Sequence, residues 1–293
     1  MARTVGSAYV TAALSIDMMG MTVARILFAN AGGALLDASP PRWAYVALAA
    51  MALASALITR GLPALFSSAE ANDREPFLES LRGGVRFARA HRLILGGLAL
   101  VALANLTGFV DEPMVPAIAD QVFHASPMLF GLFMSATGVG SLAMVLWLTL
   151  SDTRLKRPGL SALVSIAVLH GLMVAFSYAE TATAALVLLA AIGAAGIVFS
   201  ISHSSLFLVA APDQLRGRVL GLQTLMIGSY PLSSLIVGWL GNQLGALAAV
   251  RTMALAGLVW VVVLALWVPE LRQPVVEQED PDEPDTSTRT PEK

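Results

Sequence analysis

Cysteine is missing from all 293 residues, so the chain has neither a disulfide framework nor a thiolate metal site, and its redox compartment is not readable. Ionised side chains are scarce too. Asp, Glu, Lys and Arg make up 13% of residues, where soluble domains run at about a quarter. Hydrophobic residues account for 56%, and the mean hydropathy is +0.73. So little charge on so apolar a chain excludes an ordinary water-soluble domain and implies an integral membrane protein. The acids are also unevenly spread: Glu277, Glu279, Asp280, Asp282, Glu283, Asp285 and Glu292, seven of the 20, lie after Pro274. The net charge of −2 therefore describes a tail more than the body, and no basic face for nucleic acid remains once the loops are accounted for. No HExxH, no Cys/His metal cluster and no paired nucleophile and base occurs. An enzyme is thus not expected, nor a resident metal or cofactor.

Long apolar runs dominate what is there. A bilayer core takes about 20 helical residues, and by that measure eight spans are predicted. They cover residues 8–36, 43–66, 93–119, 127–150, 160–177, 182–210, 217–244 and 246–267. Loop charge alternates along this zigzag. Arg60, Arg74, Arg82, Arg86, Arg89, Arg92, Arg154, Lys156, Arg157, Arg216 and Arg218 fall on one side and only Arg42 and Arg251 on the other. Retention of Arg and Lys in the cytoplasm then puts both termini there, in the plasma (inner) membrane of the cell. The start, residues 1–16, is not read as a signal peptide, because Asp17 and Arg25 interrupt the apolar run beyond it. Between spans two and three, Phe77, Leu81, Val85 and Phe87 or Ala88 recur at helical spacing among arginines, the pattern of an amphipathic helix in the membrane interface. The acidic, Pro-rich stretch beyond Leu271 is predicted to be disordered.

The turn between spans six and seven, Pro212-Asp213-Gln214-Leu215-Arg216-Gly217-Arg218, carries the only dense charge between two very long apolar runs. Asp213 is expected to cap a helix starting at Gln214. Together with Leu220-Gly221-Leu222 this turn resembles the loop between helices ten and eleven of the major facilitator superfamily, in the branch of drug-efflux and siderophore exporters. The basic stretch ending in Arg86-Phe87-Ala88-Arg89-Ala90-His91-Arg92 is similar to that branch's central loop. Ala24-Arg25-Ile26-Leu27 followed by Gly32-Gly33 is similar to its fifth-helix antiporter motif, with Phe28-Ala29 where the motif has Gly-Pro. Asp152, Lys156 and Arg157 partly match its gating loop, although Leu148 and Leu155 replace the glycines.

The resemblance covers helices five to twelve of a twelve-helix family. It implies an all-α polytopic fold: residues 1–66 the last two helices of one bundle, 67–92 a cytoplasmic linker, 93–271 a complete six-helix bundle and 272–293 a tail. It further implies alternating access around a central cavity, with the lipid bilayer, a small-molecule substrate and a proton as partners. Arg25, Gly32 and Gly33 would pack the motif helix, and Asp152, Lys156, Arg157, Asp213, Arg216 and Arg218 would gate. The competing expectation is a truncated, non-transporting fragment or scaffold that needs a partner for the missing helices.

Ionisable groups inside spans are costly, about 2.5 to 3.5 kcal/mol each on insertion scales, and therefore point to sites. Asp111 and Glu112 in span three are the proton-coupling candidates. They follow Asn105 and Thr107 and precede Pro113 and Pro116, whose missing N–H groups free carbonyls of the kind that line cavities. The alternative is that span three ends near Val110 and leaves both acids on the outer face. Asn105, Thr107, His203, Gln223 and Tyr230 are candidates for lining a cavity or substrate site, with interhelical hydrogen bonding the alternative role for His203 and His170. Asp17 and Arg25, eight residues apart, lie about 80° apart around span one and are expected to face the bundle interior. Gly138 and Gly140, and Gly217 with Gly221, are read as sites of close helix packing. Because the chain lacks cysteine, Arg86→Cys and Asp120→Cys give clean labelling sites. The zigzag predicts that an impermeant thiol reagent reaches them from opposite faces of the membrane, and labelling of both from one face would overturn it.

Overall fold

A backbone that crosses lipid must satisfy its own N–H and C=O groups, and runs this long, apolar on all sides, do so as helices. The structure, a computed structural model, describes residues 10–60, 77–151 and 157–273, and all regular structure among them is helical. The helices are α1 (Val10–Ala38), α2 (Arg42–Arg60), α3 (Phe77–Ala90), α4 (Arg92–Leu103), α5 (Asp111–Gln121), α6 (Pro127–Leu150), α7 (Pro158–Phe176), α8 (Ala182–Ala210), α9 (Asp213–Ile227), α10 (Tyr230–Leu244) and α11 (Ala246–Trp267). A π-helical turn, Ala104–Gly108, follows α4, and a 3-10 turn, Pro269–Arg272, follows α11. Seven helical segments among the described residues are long and apolar enough to cross a bilayer, and they coincide with predicted spans two to eight. α1 has 29 residues, with Ile26–Ala38 as its described apolar part. The chain is a multi-pass membrane protein.

Local sequence sets the helix ends. Ser126 and Thr181 accept from the backbone N–H of Leu129 at 3.3 Å and Ala184 at 3.2 Å, capping α6 and α8. Pro127 and Pro158 occupy first-turn positions of α6 and α7, where no N–H is needed. Gly245, at φ 87°, turns α10 directly into α11 in a conformation that other residues rarely adopt. At α9 the expectation shifts by one residue. The helix begins at Asp213 with Pro212 as its N-cap, at φ −56° and ψ 148°. Asp213 thus stands in the first turn, and its side chain lies outside the described residues. Several of the predicted charged positions lie outside the described residues: Asp152 and Lys156, the tail from residue 274 and the stretch 61–76, together with the side chains of Asp17, Arg25 and Asp213.

Helices α4 to α11 share one apolar core, in which Phe133, Phe176, Phe199 and Phe207 are fully buried. α1 lies along α6, α6 along α8, and α8 along α7. Glycine allows these approaches. A Cβ at Gly140 would collide with the Ala190 carbonyl, one at Gly193 with the Thr137 carbonyl, and one at Gly131 would stand 2.8 Å from the Ala29 carbonyl oxygen. Gly33 makes the matching approach from α1, where a Cβ would stand 2.6 Å from the Pro127 carbonyl oxygen, whereas one at Gly32 would meet nothing within 4 Å. Among the described residues a Cβ at Gly217 or Gly221 likewise meets nothing within 4 Å, so the packing expected of them is not formed there. α9 buries Val219 and Leu222 instead, on its other side. α2 buries none of its residues.

Arginine-bearing segments gather at one end of the bundle. Arg92 donates to the Trp267 carbonyl at 2.6 Å and lies 3.5 Å from Glu270, Gly159 abuts the Leu271 backbone, and Arg218 lies along Gly83 and Gly84 of α3. Gly140→Val is predicted to force α6 and α8 apart and cost about 1 to 3 kcal/mol. Gly221→Ala, with open space around it, should be neutral or gain up to about 1 kcal/mol from helix propensity. Thermal unfolding of the two variants in detergent separates these outcomes.

Candidate functional site

Two of the spans are discontinuous, and their breaks meet. Span three runs as α4, the π turn, a non-helical step at Phe109 and Val110, then α5. Span seven runs as α9, a turn at Gly228 and Ser229, then α10. Side chains donate to carbonyls at and beside these breaks, where irregular backbone at membrane depth needs extra partners. Asn105 Nδ2 donates to Val101 O at 2.9 Å, Thr107 Oγ1 to Leu103 O at 2.9 Å, and Ser233 Oγ of α10 to Leu106 O at 2.8 Å. The last bond ties one break to the other. A second tie is Tyr230 Oη, at the start of α10, donating to Glu112 Oε2 at 3.0 Å.

Both acids stand in the first turn of α5, where the positive end of the helix dipole favours a carboxylate. Span three does break near Val110, yet the acids do not fall on an exposed outer face: Asp111 is 3% exposed and Glu112 half-buried. They open onto a cavity of about 190 Å³ between α5, α6 and α8. Phe109, Asp111 and Glu112 form one wall, Thr137, Gly138 and Ser141 of α6 a second, and Ile192, Gly193, Gly196, Ile197 and Ser200 of α8 the third. Ser141 Oγ donates to Gly193 O at 2.9 Å and so joins two of the walls. The chamber thus brings together carboxylates, hydroxyls, an aromatic ring and isoleucines. Among the described residues no group of three or more metal-ligating side chains occurs.

A membrane-embedded chamber beside broken helices is a transporter's arrangement. A family model described as Major Facilitator Superfamily matches residues 1–231. The chain belongs to the major facilitator superfamily. Neither the curated proteins nor the solved structures contain a match to it. As a major facilitator it is a membrane transporter rather than an enzyme by family.

Within this major facilitator the predicted residues separate into four places. Tyr230 joins the acids. Asn105 and Thr107 are buried at the π turn but do not line the cavity: Thr107 faces α7, with its hydroxyl 2.9 Å from His170 Nε2, and His170 in turn bonds Ile166 O at 2.8 Å. Gly257 of α11 leaves the room this imidazole needs. His203 and Gln223 also lie away from the cavity, paired with each other at 3.1 Å across α8 and α9, with His203 Nδ1 2.9 Å from Phe199 O. Both histidines thus act as interhelical hydrogen-bonding groups in this structure. Arg157 is exposed, Arg216 and Arg218 half-buried at the end of the bundle away from the acids' cavity. Sequence reading missed Thr137, Ser141 and Phe109, which bear no charge and sit in ordinary apolar runs. Gly138 was legible as a packing residue and doubles as cavity wall.

Ser233→Ala would leave the Leu106 carbonyl without its donor and is predicted to cost about 1 kcal/mol, within the range of hydrogen bonds inside membranes. Ser234→Ala, whose hydroxyl bonds Tyr230 O within its own helix at 3.3 Å, should cost less. Unfolding in mixed micelles compares the two.

Proposed function

We propose that this transporter exports amphipathic small molecules of drug or siderophore type by proton-coupled alternating access, with Asp111 and Glu112 carrying the proton. The observation that supports this most is the placement of two carboxyl groups at the junction of both broken spans, one of them buried, beside a chamber. A carboxyl group in a dry site is far less costly neutral than ionised, so its protonation state and the side to which its chamber opens are linked. Tyr230 extends that link to a second helix. Its hydroxyl donates to Glu112, and a proton on the carboxyl group alters the bond that holds α10 to α5. Breaks on both partners make that junction the natural place for bending.

In this reading residues 1–66 and 93–271 belong to two units that rock about the cavity, joined by a linker at 67–92. The charged turns at Asp152, Lys156, Arg157 and at Asp213, Arg216, Arg218 act as a latch between the units on the cytoplasmic side of the plasma membrane. Arg218 already lies against α3, at Gly83 and Gly84. Arg25, Gly32 and Gly33 belong to the helix packed against α6. The bare surface of α2, which buries no residue, favours a second reading: a scaffold or subunit that transports only with a partner supplying further helices. The mass of the native membrane complex discriminates, since a solitary chain excludes such a partner.

Neutralising the acids together, Asp111→Asn with Glu112→Gln, is predicted to lower proton-driven efflux about 100-fold or more. Substrate exchange at equal concentrations, which requires no net proton movement, should persist. Undiminished efflux from the double variant would remove the carboxylates from the mechanism.

A further inference from the structure

Arg82, Arg86 and Arg89 recur at i, i+4 and i+7 on α3 and are all exposed. The opposite side of the same helix is the docked one. Gly84 and Ala88 are buried, and a Cβ at Gly84 would stand 3.3 Å from Leu222 Cδ1 and 3.4 Å from Arg218 Cβ of α9. The row is therefore held outward by packing. With Leu81 and Val85 it forms a shallow recess of about 420 Å³, and none of the three arginines has an ion pair or hydrogen bond among the described residues. Its occupant must be anionic and elongated enough to follow about 10 Å of helix.

This chain carries such a segment. Glu277, Glu279, Asp280, Asp282, Glu283 and Asp285 place six carboxylates within nine residues. The described chain ends at Gln273, directly after the turn Pro269–Arg272. Glu270 of that turn lies 3.5 Å from Arg92, three residues beyond Arg89, so the tail departs from the foot of α3. From Gln273 to Glu277 an extended chain reaches at most about 14 Å, and from Glu277 to Asp285 at most about 29 Å. Both distances suffice to bring the carboxylates alongside the row. We infer that residues 277–285 dock on the Arg82–Arg86–Arg89 face of α3, tying the carboxyl end of the chain to the linker helix. Exposed pairs of this kind are individually weak and strongly screened, so the contact responds to salt and competes with anionic lipid headgroups for the same guanidinium groups.

The test uses the full chain in a neutral detergent, with spin labels at Ala90→Cys and Ser287→Cys. A short-distance component is expected at about 0.1 M salt, where the Debye length is about 10 Å, and its loss at about 1 M, where it is about 3 Å. Arg82→Gln with Arg86→Gln and Arg89→Gln should abolish that component at low salt. Exchanging the charges, arginines to Glu and the six acids to Lys, should restore it, which guards against simple misfolding of the triple variant. An unchanged distribution in the triple variant, or failure of the exchange to restore it, overturns the inference. In nanodiscs containing phosphatidylglycerol, persistence of the short component supports tail docking. Its replacement by the distribution of the triple variant assigns the row to lipid headgroups and overturns it.

Discussion

A peptide carbonyl inside a bilayer has no water to turn to, and the organisation of this protein depends on how its carbonyls find donors. Five of the seven membrane-crossing segments among the described residues meet the requirement by unbroken helix. The other two do not, and polar side chains donate to carbonyls beside the break in span three. Asn105 and Thr107 serve carbonyls one turn back on their own segment, while Ser233 reaches across from the second broken span to Leu106. The breaks therefore stabilise each other. Their meeting also orients α5, so that a carboxylate pair begins a helix in the interior of the protein rather than at a surface.

Much of the architecture was legible in the sequence because length and apolar composition leave a bilayer-spanning chain few alternatives. The seven strongest spans coincide with apolar runs read directly from the residues, and the segments bearing Arg92 and Arg218 meet α3 and the foot of α11 at one end. The acids at 111 and 112 were legible for a related reason, since charge inside a span is rare and costly. The environment of uncharged groups escaped. Thr137 and Ser141 fall in an apolar run with no local sign that they face a chamber, and Asn105 and Thr107 resemble cavity residues but serve the backbone instead. A small-residue spacing was equally ambiguous: Gly140 meets α8, while Gly217 and Gly221 meet nothing. Which face of a helix is covered depends on distant segments, and spacing alone does not encode it.

The two histidines show the same division between chemistry and context. Each carries the side chain best suited to moving protons near neutral pH, and each is instead engaged on its own helix through a carbonyl four residues back. His170 fills the space opposite Gly257 and bonds the π turn through Thr107. His203 holds α8 to α9 through Gln223. Both ring systems join helices that flank a break, which leaves the carboxylates as the ionisable groups at the chamber itself.

Helix α6 touches α1 on one side through Gly33 and Gly131, and α8 on the other through Gly140 and Gly193. At these points main chain rests on main chain, with no rotamers between that could swing aside and absorb a displacement. A tilt of α6 is consequently transmitted to both neighbours without slack, and the Ser141–Gly193 hydrogen bond ties α6 to α8 along the same seam. The seam is a stiff lever in bending, and the same glycines that bring the helices together couple that lever to the chamber wall at Gly138 and Gly193.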